Sequence, residues 1–372
     1  MLDEFVTQRL SALPSVTVDT ETTFADMTTL RVGGAPAATV CCESLDAAVA
    51  ALRELDRAAV DYVVVGGGSN LVAADGPHEV VAVRLAFDDV EADATTGLVR
   101  AEAGAVWDDV VALTVAAGLG GIECLSGIPG HAGAVPVQNV GAYGAETSDV
   151  LTRVYLYEKA TGQATWVPAS ALELAYRYSN LKFTGRGVVL AIEMQLTCDG
   201  LSKPLRFGQL TQNPGERRPV AEVRRQVLDL RRSKGMVLDP ADHDTWSAGS
   251  FFTNPVVDAP LADAVRARLG AEEAEHMPCH AVSGNAHGEA QGSEKFKLSA
   301  AWLIERAGFP KGYPGEGPAT LSTKHTLALT NRGGAQAGDI VKLAREIRDG
   351  VREVFGVTLV PEPVWLGVSI DD

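Results

Sequence analysis

The chain has 372 residues, 46% of them hydrophobic and 22% charged, which is an ordinary globular composition with enough length for more than one core. Its formal net charge is −16, and a field of that sign repels phosphate backbones and anionic lipids, so nucleic acid and membrane surfaces are excluded as expected partners. The amino-terminal residues lack a basic segment followed by an apolar run, and no apolar stretch is long enough to span a membrane, so we expect a cytoplasmic protein.

The cysteines and histidines predict no metal site. Five scattered cysteines form no CxxC pair and no disulfide framework, which is typical of a protein in a reducing compartment. His276, Cys279 and His280 form one short cluster, and a single cluster of this kind is more often incidental than a zinc site.

The first half of the chain predicts alternating strands and helices. Ser44 precedes apolar residues at helical spacing and is the expected N-cap of a helix. A buried strand breaks into three consecutive glycines, and a hairpin turns at Thr161 and Gly162. The predicted elements are a helix at 45–58, a strand from residue 61 that breaks at the three glycines within 61–72, a strand at 79–85, a helix at 106–121, the hairpin at 150–168 and a strand at 187–197.

The composition shifts near Asp199, where a loop-rich stretch indicates a domain boundary. An amphipathic helix follows, with arginines around an apolar stripe formed by Val220, Val223, Val227 and Leu230. The later predicted elements are helices at 296–309 and 338–355, a final strand at 357–367 that two prolines interrupt, and a mobile loop at 281–294 that has no periodic pattern.

The sequence VVVGGGSN places three glycines directly after a strand. Gly66, Gly67 and Gly68 lack Cβ atoms, so their backbone N–H groups can converge on a phosphate, and Ser69 and Asn70 add side-chain donors. A Rossmann loop would open a helix, whereas another strand follows here, which argues against a Rossmann fold. From the residues alone, a phosphate site and a plain glycine turn are equally supported.

Residues 126–144 contain five glycines and two prolines, so they form neither a helix nor a regular strand. Apolar residues within the stretch, such as Ile128 and Val140, argue against an exposed loop. A buried irregular backbone must satisfy its polar groups, and a polar cofactor would do so.

Three polar residues have unusual neighbours. Arg177 lies between two tyrosines, Ser250 precedes two phenylalanines, and Glu362 lies between two prolines in an apolar run. An arginine held among rings offers a fork to a carboxylate, and a partly buried acid is usually paired or functional. The ordinary alternatives are a surface salt bridge for Arg177 and a turn hydroxyl for Ser250, whose surroundings do not form the GxSxG elbow of an esterase.

Short motifs also occur in a recognisable order: TTLRVGG, VVGGGSNLV, GIPGHAGAVPVQNVGAYGAE, YRYSN, SAGSFFTNP, KLSAAWLIERAGF with KGY, and VPEPVWLG. In this order they resemble the motifs of the UDP-N-acetylenolpyruvoylglucosamine reductases. The resemblance runs from Thr28 to Gly367, nearly the whole chain. Each motif is weak by itself, and their shared order is specific.

The resemblance implies an α+β fold, with a two-subdomain FAD-binding fold of the p-cresol methylhydroxylase/vanillyl-alcohol oxidase type plus a C-terminal α+β substrate-binding domain. We expect FAD-binding subdomain 1 at 1–87 and subdomain 2 at 88–215, joined by the C-terminal strand 358–372. The substrate-binding domain is expected at 216–357, and the protein is expected to be a monomer.

The resemblance also assigns candidate site residues. Arg177, Ser250 and Glu362 match the catalytic positions of the family, and Lys234 and Asn254 match positions that contact the substrate nucleotide. Non-covalent FAD is expected to contact Gly66, Gly67, Gly68, Ser69, Asn70, Gly127, Ile128, Pro129, Gly130, Gln138, Asn139 and Gly144.

The sequence departs from the family pattern at the substrate-capping loop. Phe207 stands where related proteins have a tyrosine that meets the UDP group, so the ring is kept and the hydroxyl is lost. This puts the contribution of Phe207 to substrate binding in doubt. His325 lies where the motifs align poorly, and no role is assigned to it.

The implied reaction reduces UDP-N-acetylglucosamine enolpyruvate to the peptidoglycan precursor UDP-N-acetylmuramate. Hydride passes from NADPH to FAD N5 and then to C3 of the enolpyruvyl group, and Ser250 gives a proton to C2. Arg177 and Glu362 would stabilise the charge that develops at the adjacent carboxylate. Two alternatives stay open: a flavin oxidase of the same fold with flavin attached covalently at His131, and a non-enzymatic nucleotide-sugar binding protein.

Overall fold

The computed structural model describes residues 2–206, 208–281 and 294–371, so Phe207 and most of the predicted loop at 281–294 lie outside the described residues. The chain folds into two compact units. Unit 1 comprises Met1–Thr23, Ala35–Gly68 and Pro77–Val237, and unit 2 comprises Phe24–Gly34, Ser69–Gly76 and Leu238–Asp372.

The described residues contain both helices and strands, in an α+β arrangement. The helices are α1 (Glu4–Ser11), α2 (Phe24–Met27), α3 (Leu45–Arg57), α4 (Trp107–Ala116), α5 (Val220–Ser233), α6 (Ala259–Ala267), α7 (Ala271–Glu275), α8 (Ala300–Arg306) and α9 (Ala337–Phe355). The strands are β1 (Val16–Asp19), β2 (Thr39–Cys42), β3 (Tyr62–Val64), β4 (Leu71–Ala73), β5 (Val81–Leu85), β6 (Val90–Ala92), β7 (Leu98–Glu102), β8 (Gly141–Ala142), β9 (Ala145–Glu146), β10 (Leu151–Glu158), β11 (Gln163–Pro168), β12 (Gly187–Gln195), β13 (Val256–Asp258), β14 (Cys279–Ala281), β15 (Lys295–Leu298), β16 (Ala319–Leu321), β17 (Leu329–Asn331) and β18 (Val364–Leu366).

The first sheet of unit 1 has the strand order β1-β2-β5-β3. The Ser44 hydroxyl accepts the Ala47 N–H at 3.2 Å, which confirms the predicted N-cap of α3. Helix α3 buries Ala48, Leu52 and Leu55 in the core of this sheet, because these residues form one stripe at helical spacing. Strand β3 lies at the sheet edge and is half-buried, so it is shorter and more exposed than predicted.

The second sheet of unit 1 has the order β11-β10-β12-β7-β6, and its neighbouring strands are antiparallel. The predicted hairpin is confirmed, since the Gly162 N–H donates to the Glu158 carbonyl at 2.8 Å in the turn between β10 and β11. Trp107, the first residue of α4, is fully buried in the core of this sheet. Its indole N–H donates to the Leu125 carbonyl at 3.2 Å, which holds α4 beside the glycine-rich run.

Helix α5 belongs to unit 1, and its apolar stripe confirms the sequence prediction. The stripe packs into a cluster formed by Cys124, Leu205, Leu210, Val223 and Val227. The compact units therefore separate after Val237, whereas the sequence placed a boundary at residue 216. The difference arises because α5 buries its stripe against residues that precede it, and the functional assignment of the predicted segments stays a prediction.

Unit 2 contains a sheet of order β13-β15-β14 and the paired strands β16 and β17. The predicted helix α9 is confirmed, and the helix predicted at 296–309 is confirmed only over α8, because residues 296–298 belong to strand β15. Helices α8 and α9 share one core. Helix α9 contributes Ile340, Ala344, Ile347 and Val351, which recur at helical spacing and are fully buried.

Two short segments from the first 87 residues also belong to unit 2. The Asn331 side-chain amide donates to the carbonyls of Leu30 and Arg31, both at 3.1 Å. Strand β4 pairs in parallel with β18. The predicted final strand is only three residues long, because Pro361 and Pro363 lack the N–H groups that a longer ladder would need.

Over residues 2–206, 208–281 and 294–371, the structure shows no group of His, Cys, Asp and Glu side chains placed to hold a metal ion. In the same ranges, no helix combines the length and apolar character that a bilayer crossing requires. The cysteines at positions 41, 42, 124, 198 and 279 are all thiols.

Candidate cofactor and active site

The three glycines after β3 lie against the second glycine-rich run of unit 1. A Cβ on Gly67 would fall 2.9 Å from the Gly130 Cα, and one on Gly66 would fall 3.4 Å from the His131 Cβ. The two backbones therefore approach at a distance that only glycine permits at position 67. The next element along the chain is strand β4, so the motif is strand, loop and strand, in agreement with the rejection of a Rossmann fold.

The second run, residues 126–144, is half-buried or buried along most of its length and is held by backbone hydrogen bonds to its surroundings. The Trp107 N–H donates to the Gly130 carbonyl at 3.0 Å, and the Ala132 N–H donates to the Ala105 carbonyl at 2.8 Å. A fixed, half-buried, irregular backbone beside Gly66 and Gly67 fits a large polar cofactor, because its backbone polar groups need partners and two glycine-containing segments lie together there.

Arg177 lies at the tip of a tight turn that is tied to the same run. Ala175 and Tyr178 exchange both backbone hydrogen bonds at 3.0 Å, and Arg177 has a φ of +56°, which is rare for a residue with a side chain. The Asn139 amide donates to the Ala175 carbonyl at 3.1 Å, and the Ser179 hydroxyl donates to the Val137 carbonyl at 2.5 Å. The structure thus brings the predicted catalytic arginine to the predicted cofactor segment.

One neighbour of Arg177, Lys182, was not identified from the sequence, whereas Tyr176 is one of the two flanking tyrosines that were. The Lys182 ammonium lies 3.4 Å from both the Gln138 Oε1 and the Arg177 carbonyl, so it links the cofactor segment to the arginine turn. The Tyr176 ring centroid lies 5.3 Å from the Arg177 guanidinium carbon, a cation–π distance. The basic character of YRYSNLK is the only local signal that could have indicated Lys182.

Lys234 is the C-cap of α5 and is half-buried. Its ammonium donates to the Gln209 side chain at 3.0 Å and lies 5.9 Å from the Tyr143 ring centroid. Burial lowers the pKa of Lys234, and the positive charge of Arg231 lowers it further. Two neighbouring cations beside the glycine-rich run favour an anionic ligand, and the contact of Lys234 with substrate stays a prediction.

The two predicted catalytic residues of unit 2 lie on adjacent backbone segments. The Glu362 N–H donates to the Phe251 carbonyl at 2.9 Å, and Phe252 pairs with Pro361 in an antiparallel bridge. Ser250 and Glu362 are both half-buried, which agrees with the partial burial expected for Glu362. The structure therefore brings the AGSFF and PEP motifs together across more than a hundred residues of sequence.

Asn70 is hydrogen-bonded to the segment that carries Glu362. Its carbonyl accepts the Val364 N–H at 2.8 Å, and its side-chain amide lies 3.5 Å from the Glu362 carbonyl. The predicted cofactor residue Asn70 thus lies beside the predicted catalytic acid. Gly66, Gly67, Gly68 and Arg177 belong to unit 1, whereas Ser69 and Asn70 belong to unit 2.

Asn254 has a local structural contact in unit 2. Its side-chain oxygen accepts the Ala300 N–H at 2.9 Å, at the first turn of α8. The oxygen therefore satisfies a helix N-terminus, and the expected contact of Asn254 with a substrate nucleotide stays a prediction.

Burial lowers the pKa of His131, and Arg84 lowers it further against an opposing effect of Asp88, so the neutral imidazole is favoured. The alternative of a covalent flavin at His131 stays open.

Two family models match the chain. One is described as an FAD binding domain and matches residues 36–167, and the other is described as the UDP-N-acetylenolpyruvoylglucosamine reductase C-terminal domain and matches residues 239–366. Together they cover most of both units.

Curated relatives and a solved structure match over nearly the full length. The chain is 61% identical over 380 residues to the UDP-N-acetylenolpyruvoylglucosamine reductase of Corynebacterium glutamicum strain R, covering all of both chains. It is 52% identical to that of Mycobacterium ulcerans, covering 93% of this chain and 94% of the relative. The crystal structure of UDP-N-acetylenolpyruvylglucosamine reductase (MurB) from Thermus caldophilus matches with a TM-score of 0.60 and 26% identity, covering 94% of this chain and 98% of that one.

Proposed function

The chain belongs to the UDP-N-acetylenolpyruvoylglucosamine reductase family, and on this premise we propose that it reduces UDP-N-acetylglucosamine enolpyruvate to UDP-N-acetylmuramate with NADPH as hydride donor. The observation that carries the proposal is the hydrogen bond from the Glu362 N–H to the Phe251 carbonyl, which joins the PEP and AGSFF motifs. These two family motifs are far apart in sequence but adjacent in the fold. Two motifs that contribute to one active site must be adjacent in this way.

FAD fits the two glycine segments of unit 1. Gly66 lies against His131 and Gly67 lies against Gly130, and these segments would hold the cofactor through backbone N–H groups. When bound, FAD supplies the two-electron redox chemistry that amino-acid side chains lack.

Arg177 is proposed to bind the carboxylate of the enolpyruvyl group. Its guanidinium offers a planar pair of donors, and the tight turn fixes the backbone from which it extends. Because negative charge grows on that carboxylate during reduction, a fixed cation there stabilises the transition state more than the ground state.

Ser250 is proposed to give the proton to C2, and Glu362 to bind the same substrate group. The Ser250 backbone is followed by Phe251, whose N–H donates to the Leu327 carbonyl at 2.7 Å, so the hydroxyl extends from a fixed segment. A serine hydroxyl is a weak acid, so it needs a strongly basic carbon and supporting hydrogen bonds. The adjacent Glu362 segment is a source of such support.

The purified protein should be yellow and should release intact FAD, not FMN, on heating or acid treatment. NADPH should bleach the flavin absorbance, and UDP-N-acetylglucosamine enolpyruvate should restore it. Flavin that stays on the chain in a denaturing gel would instead indicate the covalent oxidase alternative. A colourless protein that oxidises no NADPH would contradict the proposal and favour a binding protein.

Replacing Lys234 by alanine should weaken substrate binding while the rate of flavin bleaching at saturating NADPH stays near that of the wild type. One charged hydrogen bond to a phosphate contributes roughly 1.5–3 kcal/mol, or about one to two decades of affinity. The measurement is the substrate dissociation constant from titration of the oxidised protein.

The matched control for this variant is Lys159→Ala, which removes a lysine of the same unit that pairs with Asp56 at 3.5 Å. The control should keep the wild-type dissociation constant. If Lys234→Ala also keeps it, Lys234 does not contact the substrate.

A further inference from the structure

Asp108 and Arg224 form an ion pair in unit 1 that also reaches the glycine-rich run. The Arg224 Nη1 lies 2.6 Å from the Asp108 Oδ1, and its Nη2 lies 3.0 Å from Oδ2, so the pair is bidentate. The Gly127 N–H donates to the same Oδ1 at 2.6 Å. One carboxylate therefore connects α4, α5 and the first glycine of the predicted cofactor segment.

The carboxylate of Asp108 is held in its charged form. Burial acts to raise the pKa of Asp108, but the hydrogen bonds from Arg224 and the Gly127 N–H outweigh it and hold the pKa below its usual value. Asp108 also lies in the first turn of α4, whose N-cap Val106 has no capping side chain, and an acid there is favoured by the helix dipole.

Gly127 occupies a position that only glycine fits. Its φ is +69°, and a Cβ would lie 2.9 Å from the Leu228 Cδ2 and 3.0 Å from the Val237 Cγ2. The Gly127 backbone therefore packs closely against α5, and its φ is one that residues with side chains rarely adopt. Such a turn needs an external partner for its N–H, and Asp108 is that partner.

The other end of the segment is held by the residues just before Asp108. The Trp107 N–H donates to the Gly130 carbonyl at 3.0 Å, and Val106 pairs with His131 in an antiparallel bridge. Residues 106–108 are thus hydrogen-bonded to both ends of segment 127–131. This segment includes the predicted cofactor residues Ile128 and Pro129.

We propose that Asp108 and Arg224 are positioning residues that set the Gly127–Gly130 segment in its cofactor-binding shape through the Gly127 N–H. This inference rests on the proposed function, because the contact of that segment with FAD is itself proposed. A segment preorganised in its bound shape loses less conformational freedom on binding, so the pair raises FAD affinity.

The test compares FAD binding by the full-length protein after substitution of either partner. Asp108→Asn keeps the side-chain shape and removes the charge, and Arg224→Lys keeps the charge and removes the bidentate fork. Asp108→Asn should raise the FAD dissociation constant about tenfold, the fold-change of one lost charge-assisted hydrogen bond. Arg224→Lys should give a smaller rise. The double variant should bind FAD no more weakly than Asp108→Asn, since both changes act through one contact.

A control pair separates positioning from general stability. Arg153 and Glu193 form another bidentate pair of unit 1, with both N–O distances 2.7 Å. Arg153→Met should lower the melting temperature of the FAD-free protein, as the Asp108 and Arg224 variants should, but it should leave FAD affinity within about twofold of the wild type. The visible spectrum of bound flavin should change only in the Asp108 and Arg224 variants.

The outcomes distinguish this inference from the proposed function. A wild-type protein that binds no FAD would contradict the proposed function itself. A wild-type protein that binds FAD while Asp108→Asn binds it equally well would overturn only the positioning role. Equal weakening in Arg153→Met and Asp108→Asn would overturn it as well, because the effect would then follow stability alone.

Discussion

Ser250→Ala should slow the recovery of flavin absorbance by the enolpyruvyl substrate by about 10²–10⁴-fold, the loss typical of a missing general acid. Bleaching by NADPH should stay nearly unchanged, because that step needs no proton from Ser250. The expected effect is confined to one half of the reaction because only the second half ends with protonation at C2.

Stopped-flow absorbance of the flavin measures the two halves separately. Ser250→Cys is the matched variant, since it keeps a proton donor at the same position and should retain more activity than alanine. The substitution should be well tolerated, because Ser250 is half-buried and its backbone is fixed by neighbours that the variants keep.

Two results would contradict the assignment of Ser250. Equal slowing of both halves would show that Ser250 positions the flavin and is not the acid. If neither half slows, the assignment of the AGSFF motif is wrong, and Glu362, which lies on the adjacent segment, becomes the leading candidate for the proton.

Arg177→Gly should slow the same substrate-dependent step by about 10²–10³-fold, which is the usual effect of removing one group that stabilises developing negative charge. The protein should nevertheless keep or raise its melting temperature. Arg177 has a φ of +56°, a conformation that is strained for arginine and relaxed for glycine. Loss of activity without loss of stability would show that the strained turn serves the arginine side chain.

Arg177→Lys is the companion variant, because it keeps the charge and loses the planar fork. It should recover only part of the rate. The control is Arg153→Ala, which removes an arginine of the same unit and should leave the step within a few-fold of the wild type. If Arg177→Gly keeps the wild-type rate, Arg177 does not act on the substrate. If it slows bleaching by NADPH equally, Arg177 acts on the cofactor or on NADPH.

Several local features were predictable because the interactions that form them involve residues close together in sequence. The Ser44 cap depends on one hydroxyl and an N–H three residues away, and the hairpin at Thr161 and Gly162 depends on a turn sequence between two strands. The stripe on α5 follows from helical spacing alone. The strand after Gly68 was sufficient to exclude a Rossmann loop.

The sequence also identified candidate site residues through motif order, but it did not show how they meet. Nothing near Glu362 indicates that its N–H bonds to Phe251, and nothing near Arg177 indicates that Asn139 holds its turn. The sequence analysis did not single out Asp108, although its carboxylate accepts from both Arg224 and Gly127.

The division into units was likewise decided by tertiary structure. By itself the sequence determined the longer helices, several of the strands, the α+β class and the family, because spacing, caps, turns and motif order are properties of short stretches. It did not show which distant segments pair. The folded chain pairs β4 with β18 and holds Leu30 through Asn331. Such partners are about three hundred residues apart, and they are selected by the packing of the whole chain rather than by any local pattern.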